Sequence, residues 1–178
     1  MEAKTTTTYS MWSLFRNCRK ACEWRYIHEL VPLEQDGNLV FGTVIHKCLE
    51  IWHGGRELAP VLDFIDRTYV ERAQNEDAKR NWHMATAMMM GYAACYPVEE
   101  FEIVVLEKTF EGGIVNPATG ALSRSFVLAC RVDGVVRIGD EHFLLEHKTA
   151  SQVDADYLER LWTDFQIVLY SRYVEQTL

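Results

Sequence analysis

Arg131-Val132-Asp133-Gly134-Val135-Val136-Arg137-Ile138-Gly139-Asp140-Glu141-His142-Phe143-Leu144-Leu145-Glu146-His147-Lys148-Thr149 decides how this chain is read. Two β-rich runs flank a Gly-Asp pair, the pattern of a β-hairpin with a two-residue type II′ turn in which glycine stands first. With that turn Ile138 faces Glu141, and counting outward sets Asp133 directly opposite Glu146. Opposed residues of an antiparallel pair have Cβ atoms roughly 4.5–5.5 Å apart on one face, close enough for two carboxylates to share a divalent ion. Strand alternation returns Lys148 to the face of Glu146. Two acids and an ammonium therefore converge on one point.

That arrangement suits phosphodiester hydrolysis. A metal polarises the phosphoryl oxygen and lowers the pKa of an attacking water, and a nearby cation orients that water. The plainer reading is a solvated hairpin whose charges face water, and Glu-x-Lys by itself is common enough to favour it. The apolar run Phe143-Leu144-Leu145 shifts the balance. It reads as a buried strand that delivers charged side chains at its end, a placement that calls for a function.

Outward from the hairpin, apolar periodicity predicts a helix from Ser10 to Ile27 through Met11, Leu14, Phe15, Cys18, Cys22 and Trp24, with Ser10 as N-cap. A loop over residues 32–38 leads to a second helix, striped by Phe41, Val44, Ile45, Cys48, Leu49 and Trp52 and ending near Gly54-Gly55. Residues 60–96 are helical again up to Pro97, and the three methionines at 88–90 read as core filler. Residues 101–110 and 125–138 are β-rich, with a turn at Asn116-Pro117-Ala118-Thr119-Gly120, and a short strand covers 143–148. The last helix spans Asp154 to Leu178 and buries Leu158, Leu161, Trp162, Phe165 and Leu169. The expectation is one α/β (α+β) domain over residues 1–178, mainly helical to residue 97, then a catalytic β-meander and a helix. The chain stops inside its final helical pattern, which leaves room for further strands.

The chain has 178 residues, is 48% hydrophobic, and can bury a sizeable core. It has no apolar run of spanning length and no signal-peptide core, so a soluble cytoplasmic protein without membrane contact is expected, in a bacterial or phage-infected cell. Five cysteines without a framework argue for a reducing compartment. A net charge of -8 is the wrong sign for gripping nucleic acid through the overall field, so DNA contact must be local. The first thirty residues hold Lys4, Arg16, Arg19, Lys20 and Arg25 against Glu2, Glu23 and Glu29, the best stretch for phosphate contacts.

Asp133-Gly134 followed by Leu144-Leu145-Glu146-His147-Lys148-Thr149 resembles the aspartate and Glu-x-Lys-Thr motifs of PD-(D/E)XK nucleases, the RecB-type and CRISPR-adaptation branch above all. Phe41-Gly42-Thr43-Val44-Ile45-His46 resembles that branch's glycine-then-histidine helix, and Gln166 and Tyr170 its Gln-x-x-x-Tyr helix. Tyr9 to Cys18 is similar to its opening helix. The resemblance implies a restriction-endonuclease-like core, a central mixed sheet flanked by helices. By it Asp133, Glu146 and His46 are ligands of Mg²⁺ or Mn²⁺, joined by the backbone carbonyl of His147. Lys148 is catalytic, and Gln166 and Tyr170 position the lysine or the DNA strand. Glu107 stands where family members often carry a glutamate, although one acid on an amphipathic strand also reads as a polar-face residue.

His46 lies off its helix's apolar stripe, while His28, His53 and His83 read as ordinary side chains. Some members of the branch hold an iron–sulfur cluster with one N-terminal and three C-terminal cysteines. Cys18 fits the first position, but Cys22, Cys48, Cys95 and Cys130 are scattered and none lies in the last forty-eight residues, so no cluster is expected in this chain. Cys18 then packs on the apolar helix face.

The leading functional reading is a metal-dependent DNA exonuclease in recombination, repair, phage DNA processing or CRISPR adaptation. A helicase, recombinase or integrase would be its protein partner. The alternative is an inactive nuclease-like module that holds DNA or protein, against which the intact Asp133, Glu146 and Lys148 set argues. A different metal hydrolase would need a motif such as His-Glu-x-x-His, which is absent from the sequence.

Overall fold

The computed structural model describes residues 4–33, 37–70 and 75–175. Its sheet is mixed: β1 (Thr5–Thr8), β2 (Glu102–Val115) and β3 (Leu122–Ile138) lie in the order β1-β3-β2, and β4 (Glu141–Leu145) also pairs with β3. β1 runs parallel to β3 from Thr5↔Phe126 to Thr8↔Ala129, whereas β4 returns antiparallel. Seven helices are described: α1 (Tyr9–Asn17), α2 (Arg19–Tyr26), α3 (Gly37–Gly55), α4 (Leu58–Val70), α5 (Glu76–Cys95), α6 (Ala155–Leu161) and α7 (Phe165–Glu175). The fold is thus mixed α/β, as the order of periodicities predicts. No helix among the described residues is long and apolar enough to cross a membrane.

The chain forms two compact units, one of Met1–Leu33, Lys108–Val132 and Gln152–Leu178, the other of Glu34–Glu107 and Asp133–Ser151. In the first, β1 lies along residues 126–129, and the Thr7 hydroxyl donates to the Val127 carbonyl at 2.9 Å. α7 docks Tyr173 on β2. Tyr173 lies where a Cβ on Gly112 would collide with its ring, and its hydroxyl donates to the Gly113 carbonyl at 3.1 Å.

In the second unit α3, α4 and α5 share one core, in which Val44, Ile45, Cys48, Leu49 and Trp52 pack with Val61, Ile65, Tyr69, Ala85 and Met89. Each fully buried aliphatic side chain contributes roughly 1.5–3 kcal/mol, so the stripe on α3 fixes which of its faces turns outward. His46 lies beside that stripe and is only half-buried.

Several expectations are corrected. The first helix is broken at Cys18, which is extended (φ -156, ψ 105). Its backbone N–H donates to Leu14 O and closes α1, and its Sγ accepts from Ala21 N and opens α2. Cys18 is therefore an exposed cap rather than a packed thiol. Thr8, not Ser10, caps α1, accepting from Met11 N. Of the methionines only Met89 is buried, because Met88 and Met90 point off the shared face.

The terminal helix is likewise two helices. Asp164 restarts it, its carboxylate accepting from Gln166 N at 2.8 Å. The buried side of α7 is Tyr170, Tyr173 and Val174, while Trp162 is 87% exposed and Leu158 and Phe165 also face outward. β4 ends at Leu145 rather than Lys148, and Phe143 is exposed. Within the expected helices and loops, residues 34–36, 71–74 and 176–178 lie outside the described residues, as does Glu2 of the basic stretch.

Candidate active site

The hairpin pairs Ile138 with Glu141 and continues rung by rung to Gly134 with Leu145. Gly139 has φ 61 and Asp140 is not among the positive-φ residues, the sign pattern of a type II′ turn. Pairing ends at the Gly134↔Leu145 rung, and Asp133 and Glu146 are the next residue outward on each side, Glu146 lying just past the end of β4. Glycine at 134 has a steric cause: a Cβ there would sit 3.2 Å from both Leu145 Cδ2 and the Val105 carbonyl.

Asp133 is held from two sides. Its Oδ2 accepts the backbone N–H of His147 at 2.7 Å, and its Oδ1 lies 3.2 Å from His46 Nδ1. Burial pushes its carboxyl up, but the hydrogen bonds from His46 and His147 outweigh this and hold it below the ordinary value. Glu146, with a side chain 9% exposed, is raised, chiefly by burial and further by the charge of Asp133, against the pull of Lys148. Lys148 Nζ lies 2.9 Å from Glu146 Oε1.

α3 supplies the other wall. A Cβ on Gly42 would stand 3.1 Å from Thr149 Oγ1, so the helix one turn before His46 passes close to the residue after Lys148. His46 is raised by its hydrogen bond to Asp133, against burial, with Glu146 and Glu107 adding to the rise. Glu107 itself has φ 47, a strained state for a non-glycine residue in a strand, and such strain concentrates at functional sites.

Sequence reasoning missed His53. It lies seven residues after His46, two turns along α3, so both imidazoles reach the same neighbour. His147 meets His46 edge-on at 6.3 Å and His53 face to face at 5.1 Å, with ring planes 11° apart. Burial, with the facing His53 second, pushes the His147 imidazole down to about 4. The seven-residue spacing was the available signal, but it gains meaning only once His147 is placed against the helix.

Among the described residues no three His, Cys, Asp or Glu side chains are gathered into a ready cage for a cation. The donors nevertheless fit a hard divalent ion in kind: two carboxylates at successive ends of one hairpin, near enough that Asp133 disfavours ionisation of Glu146, with an imidazole beside them. A cation would relieve that repulsion, in competition with His46 for Asp133 and with Lys148 for Glu146.

His46, Asp133, Glu146, His147 and Lys148 thus come together within one unit. Gln166 and Tyr170 belong to the other, on α7, where Tyr170 is buried edge-on to Tyr9 at 6.4 Å. The basic residues lie there too. Arg16 stands over the Phe165 ring at 5.4 Å, Arg19 over Phe15 at 5.3 Å and Lys20 over Trp24 at 5.8 Å, and Arg25 is exposed.

The family model described as the PD-(D/E)XK nuclease superfamily matches residues 6–178. The mixed sheet with helices before and after it is consistent with the restriction-endonuclease-like fold of that family. No curated protein and no solved structure gives a significant match.

Proposed function

We propose that this chain, which belongs to the PD-(D/E)XK nuclease superfamily, is a Mg²⁺- or Mn²⁺-dependent deoxyribonuclease acting as an exonuclease in recombination, repair, phage DNA processing or CRISPR adaptation. The observation that carries the reading is the open end of the hairpin past Gly134↔Leu145, with Asp133 pinned by His147 N–H and Glu146 paired with Lys148. Asp133, Glu146, His46 and the His147 carbonyl would hold the cation. When bound, it supplies Lewis acidity toward the phosphoryl oxygen.

The chain's own residues do the rest. The His147 amide fixes the Asp133 carboxylate before substrate arrives, so orientation is settled in advance of the reaction. The Lys148 ammonium, aligned by Glu146, orients the attacking water and offsets charge that develops on the phosphate. Gln166 and Tyr170, on α7 in the other unit, would contact the DNA strand. Arg16, Arg19, Lys20 and Arg25 neutralise phosphates locally on a chain whose net charge is -8, and the rings beside them offer faces on which bases stack. A helicase, recombinase or integrase partner would add the grip that this charge withholds.

The test is cleavage of labelled linear and circular DNA, single- and double-stranded, in Mg²⁺, Mn²⁺ or EDTA. The wild type degrades linear DNA in either metal, spares circles and is silent in EDTA, and Lys148→Ala loses about 10²–10⁴-fold in rate. Binding without cutting would leave a nuclease-like DNA-binding module instead.

A further inference from the structure

His53 is a buried imidazole to which the chemistry above gives no task. A polar side chain in a helical core needs compensation, and here it is extensive. His53, 1% exposed in its side chain, has Nδ1 2.6 Å from Glu99 Oε1, and the Glu99 side chain is itself 6% exposed. That contact is short but poorly aligned for a hydrogen bond, so it is an ion–dipole contact more than a directed bond. The other Glu99 oxygen meets Arg56 Nη1 at 2.5 Å. Arg56 Nη2 donates to the carbonyls of Tyr96 and Pro97, which ties the end of α3 to the segment after α5.

The assembly is built at a backbone cost. Arg56 has φ 58, the left-handed state, and its N–H donates to Trp52 O as α3 ends. Its guanidinium also lies over the Trp52 ring at 5.5 Å. The charged groups therefore hold one another, and the His53 ring is fixed in a single orientation. The face it presents is covered by the ring of His147, and the edge of Tyr92 closes another side at 6.0 Å.

From this geometry we infer that His53 is a positioning residue for the active site: clamped by Glu99 and Arg56, it supports the His147 ring and so fixes the peptide that holds Asp133. The support runs along covalent and packed contacts within one unit. The His147 ring is gripped between His46 and His53, its own backbone N–H is the donor to Asp133 Oδ2, and its chain neighbours are Glu146 and Lys148. If the ring tilted, the amide would swing and Asp133 would lose one of its two restraints. The role in catalysis rests on the nuclease reading, but the support of the His147 amide does not.

Two variants isolate the ring. His53→Leu and His53→Phe both lose the Glu99 contact, so the difference between them reports stacking alone. Three measurements are made on the whole chain: hydrogen exchange of the His147 amide in EDTA, Mn²⁺ affinity by calorimetry, and kcat and KM on linear DNA. Exchange in α4 and α5 serves as the control for folding. In His53→Leu the His147 amide exchanges at least about tenfold faster, Mn²⁺ binds about tenfold more weakly, and kcat falls about 10–100-fold at unchanged KM, the range for residues that orient metal ligands. His53→Phe, which keeps a stacking ring but not its clamp, falls between His53→Leu and wild type in all three.

Equal behaviour of the two variants, or an unchanged His147 amide in a folded His53→Leu, overturns the proposal. Should His53→Leu not fold, Glu99→Gln keeps the imidazole and removes its clamp. Faster exchange at His147 then supports the proposal and unchanged exchange overturns it. A wild type that never cleaves DNA removes the nuclease reading, while the exchange comparison still decides the role of His53.

Discussion

Asp133 Oδ2 accepts the backbone N–H of His147 at 2.7 Å, so the acid of one hairpin strand is fixed by the peptide that separates Glu146 from Lys148. The bond needs an acceptor at position 133 but no charge. Asp133→Asn therefore folds with a melting temperature within a few degrees of wild type, and its cleavage rate falls about 10²-fold or more. Melts and single-turnover rates check this together. A variant that is inactive because it is unfolded would show that the site depends on the charge for structure.

Gly134 gives a prediction about folding instead of chemistry. Its absent Cβ makes room for Leu145 and the Val105 carbonyl, and the carbonyl cannot rotate away as a side chain does. Gly134→Ala destabilises by about 1–3 kcal/mol in denaturant titrations, the usual cost of overpacking. No loss of stability would mean that the hairpin has slack at this rung.

Much of this geometry was legible in the sequence. The hairpin register followed from Gly139-Asp140 and strand alternation because a tight turn leaves no freedom in the count, and the α3 core followed from its apolar stripe. The break at Cys18 was hidden, since apolar spacing continues across it and only the extended backbone of one residue interrupts the helix. The buried face of α7 was read from hydrophobicity, whereas the contacts that decide it are tyrosines meeting Gly112, Gly113 and Tyr9. β1 escaped notice because four threonines read as polar, although β-branching favours strands and Thr7 is buried.

Acid should destabilise the metal-free protein. The folded-state His147 value is about 4 and that of His53 is lowered by burial, while an unfolded histidine titrates near 6.5. As pH falls from roughly 6.5 toward 4, the unfolded chain takes up protons that these two folded imidazoles refuse, so stability drops. His46, raised by Asp133, acts in the opposite direction and softens the fall. Melting temperatures in EDTA should decline across this window for wild type, less steeply for His147→Gln and more steeply for His46→Gln. Parallel curves for all three would contradict the assignment.

Charge on α1 and α2 sets the salt dependence of DNA binding. Each phosphate contact contributes about 0.7–0.9 to the slope of log K against log salt, so the triple change of Arg16, Arg19 and Lys20 to alanine lowers that slope by about 2–3. These side chains are exposed, and the melting temperature should be unchanged. An unaltered slope would move the phosphate contacts elsewhere on the chain.

Whether Asp133 and Glu146 share one cation is tested most directly by a crystal structure grown with Mn²⁺ and read by its anomalous signal. A single strong peak is expected, bonded to a carboxylate oxygen of each residue at about 2.0–2.2 Å, with the bond between His46 and Asp133 displaced. A peak bonded to only one of the two acids, or a metal bound away from both in a protein that still cuts DNA, would contradict it.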